Sequence, residues 1–160
     1  MVIILMGVTG SGKTTVGQSL AESLHCQFAD ADDFHPPANV AKMRAGIPLD
    51  DADRAPWLAA LRAQIEKWLS VGANVVLACS ALKQAYRDQL VASPDVKVVY
   101  LRGSPELIAQ RLAGRHGHYM DPELLPSQFA TLEEPRDGFA VDVDASVPDV
   151  VWRIRTALGL

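Results

Sequence analysis

Cysteine is scarce in this chain of 160 residues: only Cys26 and Cys79 occur. They lie far apart, with no metal-like spacing, which sets aside a disulfide scaffold or a thiolate metal site and leaves reduced thiols in a cytoplasmic setting as the plain reading. Long apolar runs are missing as well. The stretch Val2-Ile3-Ile4-Leu5-Met6 is too short to span a bilayer and has no basic leader, so it reads as a strand and not as a signal peptide, and no membrane association is expected. There is no basic excess. Fifteen basic residues against nineteen acidic ones give a net charge of -4, which argues against a nucleic-acid binder relying on a global positive field. Charge runs, low-complexity tracts and internal repeats are absent. One domain over 1–160, large enough for a true core, is the expectation.

What is present begins at residue 7. Gly7-Val8-Thr9-Gly10-Ser11-Gly12-Lys13-Thr14 is a complete G-x-x-x-x-G-K-[ST] loop between an apolar strand and a helical pattern at Val16, Leu20 and Leu24. Glycines let the backbone wrap closely around phosphate. The loop amides and the helix N-terminus then point at the anion. Lys13 meets the β/γ-phosphates, and the Thr14 hydroxyl is a candidate Mg²⁺ ligand.

Further apolar runs, around Gln27-Phe28-Ala29, Asn74–Ala78, Lys97–Leu101 and Ala140–Asp144, read as buried strands. Between them lie helical patterns: residues 57–69, then faces at Leu82, Tyr86 and Leu90, at Leu107, Ile108 and Leu112, and at Val147, Val150, Val151, Ile154 and Leu158. Ser104 and Ser146, each followed by proline and acid, fit helix starts. Alternating strands and helices with continuous apolar strands imply an α/β fold with a parallel sheet covered on both faces. Ligands in such sheets bind beyond the carboxyl ends of the strands. Asp30 and Asp32 follow the second strand, Ser80 and Lys83 the third, and Asp144 the last.

Three constellations carry chemistry. Asp30-Ala31-Asp32-Asp33-Phe34-His35 places carboxylates beside a nucleotide loop, where they hold a metal-bound water or accept a hydroxyl proton, as a kinase requires; the alternative is a solvated capping turn. Arg54 opposes the dipole of the helix that follows Asp50-Asp51. An anionic ligand would explain it, and so would an ion pair to Asp50 or Asp51. Arg111 and Arg115, four apart, share a helix face ahead of the glycine-bearing loop Gly114-Arg115-His116-Gly117-His118-Tyr119. That segment fits either a lid bringing guanidinium charge to the transferring phosphoryl or a solvated basic face. Cys79 and Trp57 read as structural, the edge of Trp57 being free to line a sugar site.

Read together, GVTGSGKTT at 7–15, DADDFHPPANVAKMRAGIPLDDADRAPWL at 30–58, CSALKQAYRDQL at 79–90, RLAGRHGHYM at 111–120, LLPSQFATLEEP at 124–135 and VDVD at 141–144 resemble the gluconate kinases of the small P-loop kinase superfamily. The resemblance covers nearly the whole chain. It implies five parallel strands in order 2-3-1-4-5, a substrate-binding helical segment over about 36–70 and a lid over about 112–122. It implies transfer of the ATP γ-phosphoryl to the 6-hydroxyl of D-gluconate with Mg²⁺, and it suggests a homodimer. On that resemblance the nucleotide is held by residues 7–15, including Thr15, with Arg111 on adenine and Arg115 on phosphate. Lys13 stabilises phosphate, Thr14 and Asp30 serve the metal, and Asp32 is the base or binds the reacting hydroxyl. His35 and Arg54 contact gluconate, with Lys83, Arg87 and Gln128 as further substrate-site candidates. Tyr119 stands where such lids are expected to carry phenylalanine. Two alternatives are a shikimate-kinase-like enzyme for another hydroxy acid and a P-loop switch that phosphorylates nothing. The first is expected to carry a glycine-rich stretch after the third strand, where this chain has Cys79-Ser80-Ala81-Leu82-Lys83. The second usually ends that strand in an acid, and none stands there.

Overall fold

The computed structural model describes residues 1–114, 125–136 and 138–160. Five strands form one sheet: β1 (Val2–Met6), β2 (Gln27–Asp30), β3 (Val75–Ala78), β4 (Val96–Arg102) and β5 (Phe139–Asp142). Their order is β2-β3-β1-β4-β5 and every pairing is parallel, with Leu5 opposite both Ala78 and Val99. β1 is central and buried at all five positions. Its alternation sorts the core into two halves, because successive strand residues face opposite sides. Ile3 and Leu5 join the cluster of Val16, Leu20, Ile108 and Ile154. Val2, Ile4 and Met6 join that of Trp57, Leu61, Ile65 and Leu90. Apolar cover on both faces is why the inner strands read as unbroken hydrophobic runs.

The helices are α1 (Lys13–Leu24), α2 (Pro37–Arg44), α3 (Asp51–Ser70), α4 (Gln84–Leu90), α5 (Pro105–Ala113), α6 (Leu125–Thr131) and α7 (Val147–Leu158). Both serine caps form: Leu107 N donates to Ser104 Oγ at 3.1 Å and Asp149 N to Ser146 Oγ at 3.3 Å. α3 starts six residues before the apolar pattern that begins at Trp57. Its start is set by a reciprocal capping box, with Asp53 N donating to Asp50 Oδ1 at 2.7 Å and Asp50 N to Asp53 Oδ2 at 3.1 Å. That first turn lies beside the site instead of on the sheet, so no apolar stripe marked it. α2 falls within the helical segment expected over about 36–70, while α6 and a 3-10 turn at Ala31–Phe34 went unmarked, being too brief for periodicity to show.

Since the strands are parallel, their carboxyl ends share one side. The loop at 7–12 leaves β1 there, Asp30 ends β2, Ser80 follows β3 and Val143 follows β5. Among the described residues no helix is long and apolar enough to cross a membrane.

Candidate active site

The glycine loop is shaped by backbone that other residues avoid. Gly12 caps α1 at φ 96° with no side chain occupying the first amides of the helix, so they remain available to an anion. Gly10 sits at φ 80°, and a Cβ there would lie 2.8 Å from Leu112 Cγ on α5; the loop is wedged against that helix. Val8 turns its side chain into the core, leaving only backbone to face a ligand, and Thr15 is exposed. Lys13 Nζ donates to the carbonyls of Gly7 at 3.0 Å and Val8 at 2.9 Å. Gln128 on α6 accepts from Thr9 N through Oε1 at 2.7 Å. Ser11 Oγ is buried with no hydrogen-bond partner among the described residues. A buried unpaired hydroxyl beside uncapped amides and a lysine is a donor set suited to phosphate oxygens.

The carboxylates that follow β2 part company. Asp30 accepts from Asp32 N through Oδ1 at 2.9 Å and from the Thr14 hydroxyl through Oδ2 at 3.4 Å. Burial raises its pKa, the main opposing effect being the Asp32 amide. Thr14 and Asp30 together present hard oxygen donors beside the phosphate loop, a set that fits Mg²⁺. Asp32 is freer, with its side chain 41% exposed and Oδ1 3.8 Å from His35 Nε2. Asp33 faces solvent.

His35 is nearly enclosed. Its ring stacks on Trp57 with centroids 4.3 Å apart and planes 12° apart. Burial, reinforced by the positive charge of Arg54, lowers its pKa to about 4, so it is neutral at physiological pH. Trp57 is core as expected, 1% exposed, but it also supports the site: Nε1 donates to the carbonyl of Ala31 at 2.8 Å.

Arg54 forms no ion pair with Asp50 or Asp51. Nη1 donates to the Tyr86 hydroxyl at 3.1 Å and the guanidinium lies over that ring. The tyrosine hydroxyl donates in turn to Asp51, which also pairs with Lys83 Nζ at 3.0 Å. Both contacts hold the Asp51 carboxyl below its ordinary pKa, Tyr86 more than Lys83. Lys13, Asp32, His35, Arg54 and Gln128 line a single cavity, closed on its apolar side by Met43, Leu49 and Leu82.

Other expected site residues are not among that lining. Lys83 lies outside that lining, paired with Asp51. Arg87, expected in the substrate site, also lies outside that lining: it is 3% exposed, and every donor except Nε, which has no partner among the described residues, is spent on protein. Nη1 donates to the carbonyls of Ala81 at 2.8 Å and Leu82 at 3.1 Å, and Nη2 to the carbonyl of Glu133 at 2.7 Å and to Gln84 Oε1 at 2.9 Å. It is a clamp on the turn after β3, where Ala81 holds φ 42°, a conformation side chains disfavour. Arg111 donates to the carbonyl of Val143 beyond β5. Arg115, and with it the segment 115–122 of the expected lid, lies outside the described residues. Cys79 is inert, its thiol pushed up to about 12 by burial. Sequence reasoning missed Asn39, whose position four residues after His35 was the available signal, and took Tyr86 for an apolar-face residue.

A family model described as an AAA domain matches residues 2–137. A probable gluconokinase of Mus musculus is 44% identical over 98% of this chain and 97% of its own length. A gluconokinase of Gluconobacter oxydans is 48% identical over 84% of this chain and 76% of its own. The crystal structure of a gluconokinase from Sinorhizobium meliloti superposes with a TM-score of 0.84 at 42% identity, covering 98% of this chain and 93% of that one. With identity at this level over nearly its whole length, and with the P-loop and carboxylates at the ends of β1 and β2, the chain belongs to the gluconokinase family of P-loop kinases.

Proposed function

We propose that the chain transfers the γ-phosphoryl group of ATP to the 6-hydroxyl of D-gluconate, giving 6-phosphogluconate and ADP. The observation that carries this reading is the single cavity in which the lysine of the phosphate loop, the free carboxylate of Asp32, neutral His35 and the Arg54 guanidinium meet. One end is built for phosphate and the other for a small, hydroxylated anion.

Phosphoryl transfer is chiefly positioning and charge stabilisation. The loop amides, Ser11 Oγ and Lys13 hold the phosphate chain, with Arg111 and Arg115 as the further nucleotide contacts. Thr14 and Asp30 would hold Mg²⁺, which neutralises charge on the β- and γ-oxygens when bound. Asp32 faces the cavity while Asp30 is engaged by Thr14 and a backbone amide, so Asp32 takes the proton of the attacking hydroxyl. That oxygen forms its bond to phosphorus as the bond to the ADP oxygen breaks. Arg54, oriented by Tyr86, pairs with the gluconate carboxylate as a planar fork.

An ADP-release assay over gluconate, shikimate, other aldonic acids and a neutral hexitol tests this. Gluconate should stimulate release strongly, with dependence on Mg²⁺. If gluconate stays at the water background while another acid turns over, the substrate assignment is wrong.

A further inference from the structure

Asn39 is 3% exposed on α2 and lies outside the cavity lining, yet its bonds determine what the cavity presents. Nδ2 donates to the carbonyl of Asp53 on α3 at 2.8 Å. A carbonyl only accepts, so this contact fixes which way the amide is turned. The same nitrogen lies 3.2 Å from His35 Nδ1. With one hydrogen on Asp53, the other meets the ring, and Nδ1 must therefore accept. A neutral imidazole whose Nδ1 accepts carries its proton on Nε2. That atom stands 3.8 Å from Asp32 Oδ1, too far for a direct hydrogen bond. An oxygen at ordinary hydrogen-bond distance from both atoms would bridge the gap.

We infer that Asn39 is a positioning residue that locks His35 as the Nε2–H tautomer, so that His35 donates to a substrate hydroxyl held beside Asp32. The hydroxyl donates a hydrogen bond to Asp32 and accepts one from His35, whose Nε2 keeps its proton. An ether oxygen completes only the second bond and a methylene neither, so the pair reads a hydroxyl as such. Stacking on Trp57 fixes the plane of the ring, leaving Asn39 to decide which nitrogen carries the proton. The inference rests on the gluconate reading for the identity of the hydroxyl, but its first readout needs no substrate.

Nitrogen NMR of histidine-labelled protein at neutral pH, with the His35 signals assigned by their loss in His35→Gln, should show a protonated Nε2 and an unprotonated Nδ1. A proton on Nδ1, or on both nitrogens, overturns the inference. Asn39→Asp offers Nδ1 an acceptor in place of a donor. It should move the proton to Nδ1 or add a second one, and raise the gluconate KM by about tenfold or more, with a far smaller change in the ATP KM. A folded Asn39→Asp that keeps the wild-type tautomer and gluconate KM overturns it as well. If that variant does not fold, His35→Gln and His35→Glu decide, since glutamine donates from the same reach and glutamate only accepts. The glutamate variant should show the higher gluconate KM by about tenfold; equal values overturn the donor role. Wild-type protein with Nε2–H at His35 and no turnover of gluconate would remove the substrate reading while leaving the tautomer assignment intact.

Discussion

Replacing Arg87 by methionine keeps an unbranched stem and removes every donor. Of the four acceptors that the guanidinium serves, two are covered without it. The Leu82 carbonyl also receives Glu133 N at 2.8 Å, and the half-buried Gln84 side chain is free to turn toward water. The carbonyls of Ala81 and Glu133 lose the donors at 2.8 and 2.7 Å. At about 1–3 kcal/mol for the orphaned buried carbonyl of Ala81 and about 0.5–1.5 kcal/mol for the part-buried bond to Glu133, the gross loss is about 2–4 kcal/mol. Burial of the guanidinium, which lowers its pKa, is a cost the variant no longer carries, so the net loss should be about 1–3 kcal/mol. For a chain of this size each kcal/mol moves the thermal midpoint by about 2–4 °C, which predicts a drop of about 2–12 °C. A thermal melt gives the first number. Gluconate kinetics well below the midpoint give the second, and kcat/KM there should hold within about threefold. A variant with the wild-type midpoint and a strongly raised gluconate KM would refute the clamp and return Arg87 to the substrate site.

Lys13→Ala should abolish turnover with a far smaller effect on the midpoint, because the half-buried lysine donates to loop carbonyls at 3.0 and 2.9 Å and stands outside both core clusters; wild-type turnover in the folded variant would remove its role. Asp32→Asn should slow single-turnover transfer by roughly 10²–10⁴-fold with little change in ATP affinity, whereas an unchanged rate would shift the base to Asp30. Arg54→Lys should raise the gluconate KM more than the ATP KM and spare a neutral hexitol, since the charge stays and the fork is lost; equal effects on acid and hexitol would argue against a carboxylate contact. For His35, with a folded pKa of about 4 against an ordinary 6.5, the unfolded chain takes up a proton that the folded chain refuses. Stability should therefore fall as pH drops from 6.5 to about 4 and level off below. His35→Gln should flatten that part of a urea-denaturation pH profile, and parallel profiles would clear His35 of the effect.

The parts of the site that were legible in the sequence are those whose chemistry is local. Gly10, Gly12, Lys13 and Thr14 act through a contiguous loop, and Asp30 and Asp32 end a strand, so spacing alone placed them beside one another. The inner strands β1, β3 and β4 showed because burial on both faces leaves largely unbroken apolar runs. Arg87 and Tyr86 were illegible for the opposite reason. The clamp is completed by Glu133, which returns to α4 from 46 residues away, and the tyrosine hydroxyl finds Asp51 and Arg54 on a different helix. Arg54 itself was undecidable by spacing, since Asp50 and Asp51 were near enough to pair with it; the structure spends Asp50 on the cap and Asp51 on Lys83 and Tyr86.

Trp57 bears on how readily this enzyme can be redirected. One side chain fills the core, anchors the Ala31 carbonyl of the turn that carries Asp32, and forms the floor under His35. A substitution there shifts volume, turn and ring together, so a library varied at Trp57 will return few folded members, and its survivors will confound altered specificity with lost stability. Pro48 and Leu49 line the same cavity from a stretch with no regular structure, one exposed and the other half-buried. Changes there act on the space for substrate without touching the frame, which makes that rim the place where a longer or shorter sugar acid would be accommodated at least structural risk.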